Sequence, residues 1–379
     1  MYKRLIEGQI KDRFFQGKVI ILTGARQTGK TTLALKIVKN LGLEDNVKIF
    51  NCDNPTDRKS LDNKDLDFLK GITGDAKVIF IDEGQKVESI GQTLKLLVDY
   101  YQNKKQILVT GSSSFNLLDK TQEALTGRKF VFNLFPLSLE EMFGGKDQLA
   151  ISKNLEALLI YGNYPEIAGQ VSFENKEDLL KELTSSYLYN DILEFQQIRN
   201  SAVISDLLKA LAFQIGNEVS YTELAKLLGI DKNTVERYVQ LLEKNYIIFR
   251  LSPYATNKRK EISKLRKVYF YDIGIRNAII NNFNFLNNRD DAGALWENFI
   301  LVERIKFQNY HKIYANNYFW RTYDGAEVDL VEERNGKLFG YEFKWSDKKR
   351  KKSAPGLWKK YRESSYKVIT PGNMDDFVF

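Results

Sequence analysis

The feature that most restricts what this chain can become is Gly24-Ala25-Arg26-Gln27-Thr28-Gly29-Lys30-Thr31, set between the apolar run VIILTG (19–24) and the helical pattern TTLALKIVKNL (31–41). It matches G-x-x-x-x-G-K-[ST] in a strand–loop–helix context, where that spacing has a mechanical meaning. Glycines let the backbone close around phosphate oxygens, and successive N–H groups at a helix N-terminus supply positive potential. The expected cradle for a nucleotide is Gly24, Ala25, Arg26, Gln27, Thr28, Gly29, Lys30, Thr31 and Thr32. Lys30 is expected to reach the β- and γ-phosphates and the Thr31 hydroxyl to ligate Mg²⁺. Further strand candidates at 48–53, 78–82 and 106–111 alternate with helical patterns, which reads as an α/β fold with a parallel sheet.

The second half of the site follows at Val78-Ile79-Phe80-Ile81-Asp82-Glu83. Four apolar residues in a row read as a strand buried on both faces. It delivers two carboxylates at its C-terminal end, the edge where open α/β sheets hold ligands. Asp82 is expected to hold Mg²⁺ through water, and Glu83 to orient and deprotonate the attacking water. A third run, Ile107-Leu108-Val109-Thr110, ends in Gly111-Ser112-Ser113-Ser114. Ser112 or Ser113 there can sense the γ-phosphate, or equally cap the next helix. Arg128, in Leu125-Thr126-Gly127-Arg128, reads either as an arginine finger toward a neighbouring subunit's nucleotide or as an ordinary surface arginine.

Composition removes several other classes. The 379 residues, 43% hydrophobic and 28% charged, suit two to three globular domains and exclude a disordered chain. One cysteine, Cys52, and one histidine, His311, leave no material for disulfides, Cys/His zinc sites or histidine-based triads. Redox enzyme, zinc finger and serine hydrolase therefore drop out, and both residues are expected to be structural. The lone cysteine fits a reducing cytoplasm. Apolar runs are only strand-length, and the N-terminal MYKRLIEGQIKDRFF has no apolar secretory core. A cytoplasmic protein without membrane contact is expected.

GARQTGKTT, VIFIDEGQKV, TGSSS and LTGRKFVFNLFPLSLEEM together resemble the AAA+-type (P-loop) ATPase domain of prokaryotic proteins that also carry a C-terminal domain of unknown function 4143. Tyr161-Gly162-Asn163-Tyr164-Pro165-Glu166 is similar to their Gly-Gly-x-Pro-Glu element, with Asn163 at the second glycine, and Tyr187-Leu188-Tyr189-Asn190-Asp191-Ile192 also fits the family pattern. The resemblance runs from about residue 1 to 370. It implies ATP and Mg²⁺ as cofactors and a homo-oligomer, with a hexamer the expectation for such domains.

The middle and end of the chain carry other signals. Val219–Ile230 reads as a capped helix ending at Gly229, and Asp231–Leu242 restarts with an N-cap and a second apolar stripe, the helix-turn-helix signature. A strand at 246–251, a basic stretch and a strand at 268–271 complete a winged helix. Its second helix would place Lys232, Asn233, Thr234 and Arg237 near DNA bases, with Lys258, Arg259 and Lys260 on the wing. The alternative is a winged helix used only for packing. Leu224, Leu227, Val235 and Leu242 are core on either reading. Downstream, Glu297 lies on the helix 295–308, Asp329 on the strand 326–331, and Glu342 and Lys344 share one face of the strand 338–344 after an Asn335-Gly336 turn. Asp with Glu-x-Lys on paired strands resembles the PD-(D/E)xK nuclease core, in which carboxylates hold Mg²⁺ and the lysine helps activate water. A structural hairpin with an exposed ion pair is the alternative, and a fold that binds DNA without cutting lies between.

Basic residues concentrate beside these features. Residues 344–367 hold ten Lys/Arg against two acids, which equals the whole-chain surplus of +8, and 250–267 add seven against one. Such segments suit phosphate backbones, although a run such as KKRKK (348–352) also suits a solvated helix face. The expected layout is a P-loop ATPase domain at 1–150, a helical lid or connector at 151–200, a winged helix-turn-helix at 201–270 and a restriction-endonuclease-like α+β domain at 271–379. The expected function is Mg²⁺-dependent ATP hydrolysis coupled to DNA binding and remodelling or translocation, with branched DNA one candidate substrate. The competing expectations are an ATP-dependent nuclease of a defence or mobile-element system, and a nucleotide-dependent signalling switch.

Overall fold

The computed structural model describes residues 2–112, 114–145, 147–188, 201–255, 266–322, 325–346, 356, 358, 361 and 363–379. Ser113, residues 189–192 of the family pattern, the wing residues Lys258, Arg259 and Lys260, and the run 348–352 lie outside the described residues. Contacts divide the chain into two units, Met1–Phe135 with Lys244–Tyr246, and Pro136–Glu243 with Ile247–Phe379.

The first unit is an α/β sheet of β1 (Val19–Thr23), β2 (Val47–Asn51), β3 (Val78–Asp82), β4 (Gln106–Gly111) and β5 (Lys129–Asn133), in the order β2-β3-β4-β1-β5 with every neighbouring pair parallel. Every residue of β1 and β4 is buried, because a parallel sheet is covered on both faces and tolerates no polar alternation. Ile21, Ile79, Ile81 and Val109 form one core with Leu94, Leu97 and Val98 of the helix Ile90–Tyr101. Cys52 is fully buried and burial pushes its thiol up to about 12, so it is no nucleophile at neutral pH.

The second unit combines helices with one seven-stranded sheet. Its strands are β6 (Glu218–Val219), β7 (Ile248–Pro253), β8 (Arg266–Phe270), β9 (Asn316–Arg321), β10 (Glu327–Arg334), β11 (Lys337–Phe343) and β12 (Ser364–Ile369), in the order β12-β11-β10-β9-β7-β8-β6. β7 and β9 pair in parallel at Ser252↔Tyr318 and Pro253↔Phe319, so the strands after the two short helices continue directly into the C-terminal sheet. The helix Tyr221–Leu228 is capped by Ser220 and ends at left-handed Gly229; the helix Lys232–Lys244 follows, with Asp231 accepting the Thr234 N–H at 2.9 Å. Leu224, Val235 and Leu242 are buried as expected, but Leu227 is 70% exposed. The buried stripe of that short helix runs through Leu224 and Ala225, and at about 100° per residue Leu227 falls on its flank.

A buried ion pair ties the long helix Ala292–Tyr310 to this sheet. Arg304 donates to both carboxylate oxygens of Glu332, at 2.5 and 3.0 Å, and to the Phe377 carbonyl at 2.6 Å. Glu332 is completely buried, so removing its main partner leaves a poorly compensated charge. Arg304→Met is expected to cost about 3 kcal/mol in urea unfolding, and Arg304→Met/Glu332→Gln to recover more than half of that. A single-variant loss below about 0.5 kcal/mol would show that the pair carries no such constraint. No helix among the described residues is long and apolar enough to cross a membrane.

Candidate functional site

β1 delivers the loop at the C-terminal edge of the first unit's sheet, and the helix Lys30–Asn40 begins directly after Gly29. Gly24 has φ 149°, and a Cβ there would sit 2.1 Å from the Leu134 carbonyl oxygen, so the loop's close approach to the chain after β5 requires glycine. Ala25 and Thr28 are buried, and the Thr28 hydroxyl donates to the Ala25 carbonyl at 2.8 Å; Arg26 is half-buried, and Gln27 and Thr32 are exposed. Gln27 and Glu83 occupy the left-handed region, φ 56° and 53°, which non-glycine residues adopt rarely and often at functional turns.

Lys30 is 5% exposed, and its ammonium donates to the carbonyls of Gly24 at 3.0 Å and Ala25 at 2.7 Å. It rests on the loop's own neutral acceptors, which phosphate oxygens would replace with charged ones. The Thr31 hydroxyl lies 2.9 and 3.0 Å from the two Asp82 oxygens, and the Thr110 hydroxyl donates to the same carboxylate. Burial pushes the Asp82 carboxyl above its ordinary range; the bonds from Thr110 and Thr31 oppose this and the Glu83 charge adds to it. A hydroxyl and a carboxylate converging in a site that penalises uncompensated negative charge form a hard-oxygen donor set suited to Mg²⁺.

The sheet order inserts β4 between the P-loop strand β1 and the Asp82 strand β3. The end of β4 therefore lies beside the acid pair. Ser112 Oγ is 3.0 Å from Glu83 Oε2, the Gln85 amide donates to both Glu83 Oε2 and Ser112 Oγ, the latter at 2.9 Å, and the Glu83 N–H reaches Thr110 Oγ1 at 3.2 Å. Ser112, read from the sequence as a phosphate sensor or cap, is thus held on Glu83. Arg128 sits at the start of β5, at the opposite strand end from the loop, and pairs with Asp99 at 2.6 Å.

Sequence reasoning missed Thr110, Gln85 and Arg4. Arg4 is buried and donates to the Thr28 carbonyl at 2.9 Å and the Phe135 carbonyl at 2.6 Å, bracing the loop. A lone arginine 24 positions from its partner leaves no spacing signal, whereas Gln85 is two residues after Glu83 and could have been found.

In the second unit, Lys232, Asn233 and Arg237 are exposed along the start of the helix Lys232–Lys244. The Thr234 hydroxyl is engaged with Asp231 at 2.5 Å, so it serves the cap rather than an open contact surface. Two basics counted in the 250–267 surplus are likewise engaged: Arg250 with Glu243 at 2.5 Å, and buried Lys267 with Glu297 at 3.2 Å and with Glu327. The β10–β11 hairpin turns at Asn335-Gly336 with positive φ at both, and the pairing Leu330↔Tyr341 sets Asp329 opposite Glu342. Lys344 pairs with Glu342 at 2.7 Å, and the Phe343 N–H donates to Asp329 Oδ2 at 2.7 Å. Burial, followed by the charge of Glu297, pushes the Asp329 carboxyl above its ordinary range, with Lys267 acting against it. Glu297, Asp329, Glu342 and Lys344 are therefore brought within electrostatic reach of one another. His311 caps the long helix and meets Glu140 at 2.8 Å.

Residues 16–143 match the family described as "AAA domain", 152–286 "Domain of unknown function (DUF8612)" and 292–377 "Domain of unknown function (DUF4143)". An uncharacterized protein of Mycobacterium tuberculosis (strain ATCC 25618 / H37Rv) is 27% identical over 344 residues, spanning 90% of this chain and 74% of its own length. One from Methanocaldococcus jannaschii is 27% identical over 343 residues, 83% of this chain and 76% of the relative. Among solved structures, AMPPCP-bound DnaA from Aquifex aeolicus shares 16% identity over 63% of this chain and 86% of its own, with a TM-score of 0.29, a level of likeness that carries no functional argument.

Proposed function

Starting from an AAA-type P-loop ATPase domain followed by a DUF4143 region, we propose that this chain hydrolyses ATP and couples hydrolysis to binding and remodelling of DNA. The observation that carries hydrolysis is the convergence of Lys30, Thr31, Asp82, Glu83 and Ser112 on one sheet edge. Lys30 neutralises the transferring phosphoryl oxygens as it leaves the Gly24 and Ala25 carbonyls. Thr31 and Asp82 would hold Mg²⁺, which would supply further charge neutralisation when bound. Glu83 takes the proton of the attacking water, and Ser112 with Gln85 fixes the orientation of its carboxylate. DNA is the favoured second substrate because Lys232, Asn233 and Arg237 are exposed where a helix-turn-helix presents residues to the major groove, and because basic residues concentrate in the same half of the chain.

The test is the steady-state Mg²⁺-ATPase rate without DNA and with single-stranded, duplex or four-way-junction DNA. Lys30→Ala is expected to abolish nucleotide binding and turnover. Tenfold or greater stimulation of the parent by one DNA form is expected, and that stimulation should fall at least fivefold in Lys232→Ala/Arg237→Ala with the basal rate intact. Unchanged basal hydrolysis with every DNA would sink the coupling and leave ATP hydrolysis standing alone.

A further inference from the structure

The nuclease-like residue set of the second unit is built around a lysine. Lys267 comes from β8, and its side chain is 4% exposed. Its ammonium lies 3.2 Å from Glu297 Oε1, forms an ion pair with Glu327, and attracts the buried Asp329 carboxylate. Two carboxylates, one from a helix and one from β10, thus contact an ammonium carried by a strand of the same continuous sheet, and Asp329 of β10 lies within its electrostatic reach. Further donors of the same chain engage Glu297, Glu342 and Asp329. Glu297 Oε1 accepts a hydrogen bond from the Tyr269 hydroxyl at 2.7 Å, Glu342 accepts from the Tyr366 hydroxyl and pairs with Lys344 at 2.7 Å, and Asp329 Oδ2 accepts from the Phe343 N–H. Among the described residues, no three Asp, Glu, His or Cys side chains gather as a metal-holding group.

A Mg²⁺ or Mn²⁺ serving a phosphodiester cleavage would need free carboxylate oxygens at about 2.1 Å and would sit within a few ångströms of this ammonium. Lys267 is a compact point charge with three donors, and its burial is tolerated because acids surround it. The donor set therefore does not fit the metal that the residue pattern implies. We propose that Lys267 is the resident cation of this cluster, so that the second unit carries a nuclease-like arrangement that takes no divalent ion and cuts no DNA. The reading is independent of ATP hydrolysis in the first unit.

The test counts bound Mn²⁺ by electron paramagnetic resonance, without nucleotide, in the full chain and in Asp329→Asn. Equal numbers in the two proteins are expected, together with no Mn²⁺-dependent nicking of supercoiled plasmid by the parent. Lys267→Met is expected to gain one Mn²⁺ that Lys267→Met/Asp329→Asn lacks, whereas Lys267→Arg gains none. One more Mn²⁺ in the parent than in Asp329→Asn, or parent nicking that Asp329→Asn abolishes, overturns the proposal. So does a folded Lys267→Met protein that gains no ion. If Lys267→Met does not fold, the comparison of the parent with Asp329→Asn decides the matter.

Discussion

Glu83→Gln is expected to lower ATP turnover by about 10²- to 10⁴-fold while leaving nucleotide affinity within about threefold of the parent. Glutamine keeps the size of the side chain and can still meet Ser112, which lies 3.0 Å from Glu83 Oε2, so the loop geometry should survive. What it lacks is the capacity to take the proton of the attacking water. The phosphate contacts of Lys30 and the oxygens of Thr31 and Asp82 are untouched, which separates binding from chemistry. Phosphate release under single-turnover conditions, beside a fluorescent-nucleotide titration, gives both quantities. Hydrolysis within tenfold of the parent would place water activation on another group. A large loss of affinity would mean that Glu83 organises the loop instead.

Gly162→Ala is expected to destabilise the second unit by about 4 kcal/mol or more, which lowers its melting temperature by roughly 10 °C. Two independent causes act at this position. Gly162 has φ 72°, which disfavours any Cβ. A Cβ there would also lie 2.0 Å from Asp272 Oδ1 and 2.6 Å from its Cγ. Asp272 cannot easily retreat, because its carboxylate accepts the Asn163 N–H at 2.7 Å and the Ile275 N–H at 3.2 Å, capping the helix Ile273–Ile279. Gly293→Ala is the matched control: it is helical, a Cβ there meets nothing within 4 Å, and its change should stay within about 0.5 kcal/mol. Calorimetry on both variants checks the pair, and a Gly162→Ala protein as stable as the control would remove Asp272 as a steric constraint.

The same turn explains how the chain carries asparagine where the family element has a second glycine. Asn163 does not have positive φ, so no glycine is needed there. Its amide instead donates to the Leu137 carbonyl at 3.0 Å and to Glu303 at 3.1 Å. The side chain fastens the turn to two distant segments, a role that a single sequence does not reveal.

The amino-acid sequence by itself determined the elements whose signal is local. A phosphate loop works through consecutive backbone groups, so Gly24 to Thr31 had to lie in one unbroken stretch. Parallel strands buried on both faces must be continuous apolar runs, so β1, β3 and β4 were legible. The Asn335-Gly336 hairpin was legible because only a few residues accept two successive left-handed positions. The pairing of strands was decided only by the tertiary structure, because hydrogen bonds between strands carry no side-chain code of their own. That is why Thr110 and Ser112 come to lie beside Asp82 and Glu83, and why β7 joins β9 into one sheet. Burial, too, was settled only there. Lys267 and Arg250 count in the sequence as free positive charge for phosphates, yet in the fold each faces a carboxylate of its own chain. Charge is a property of the residue, but its availability depends on what the fold packs against it.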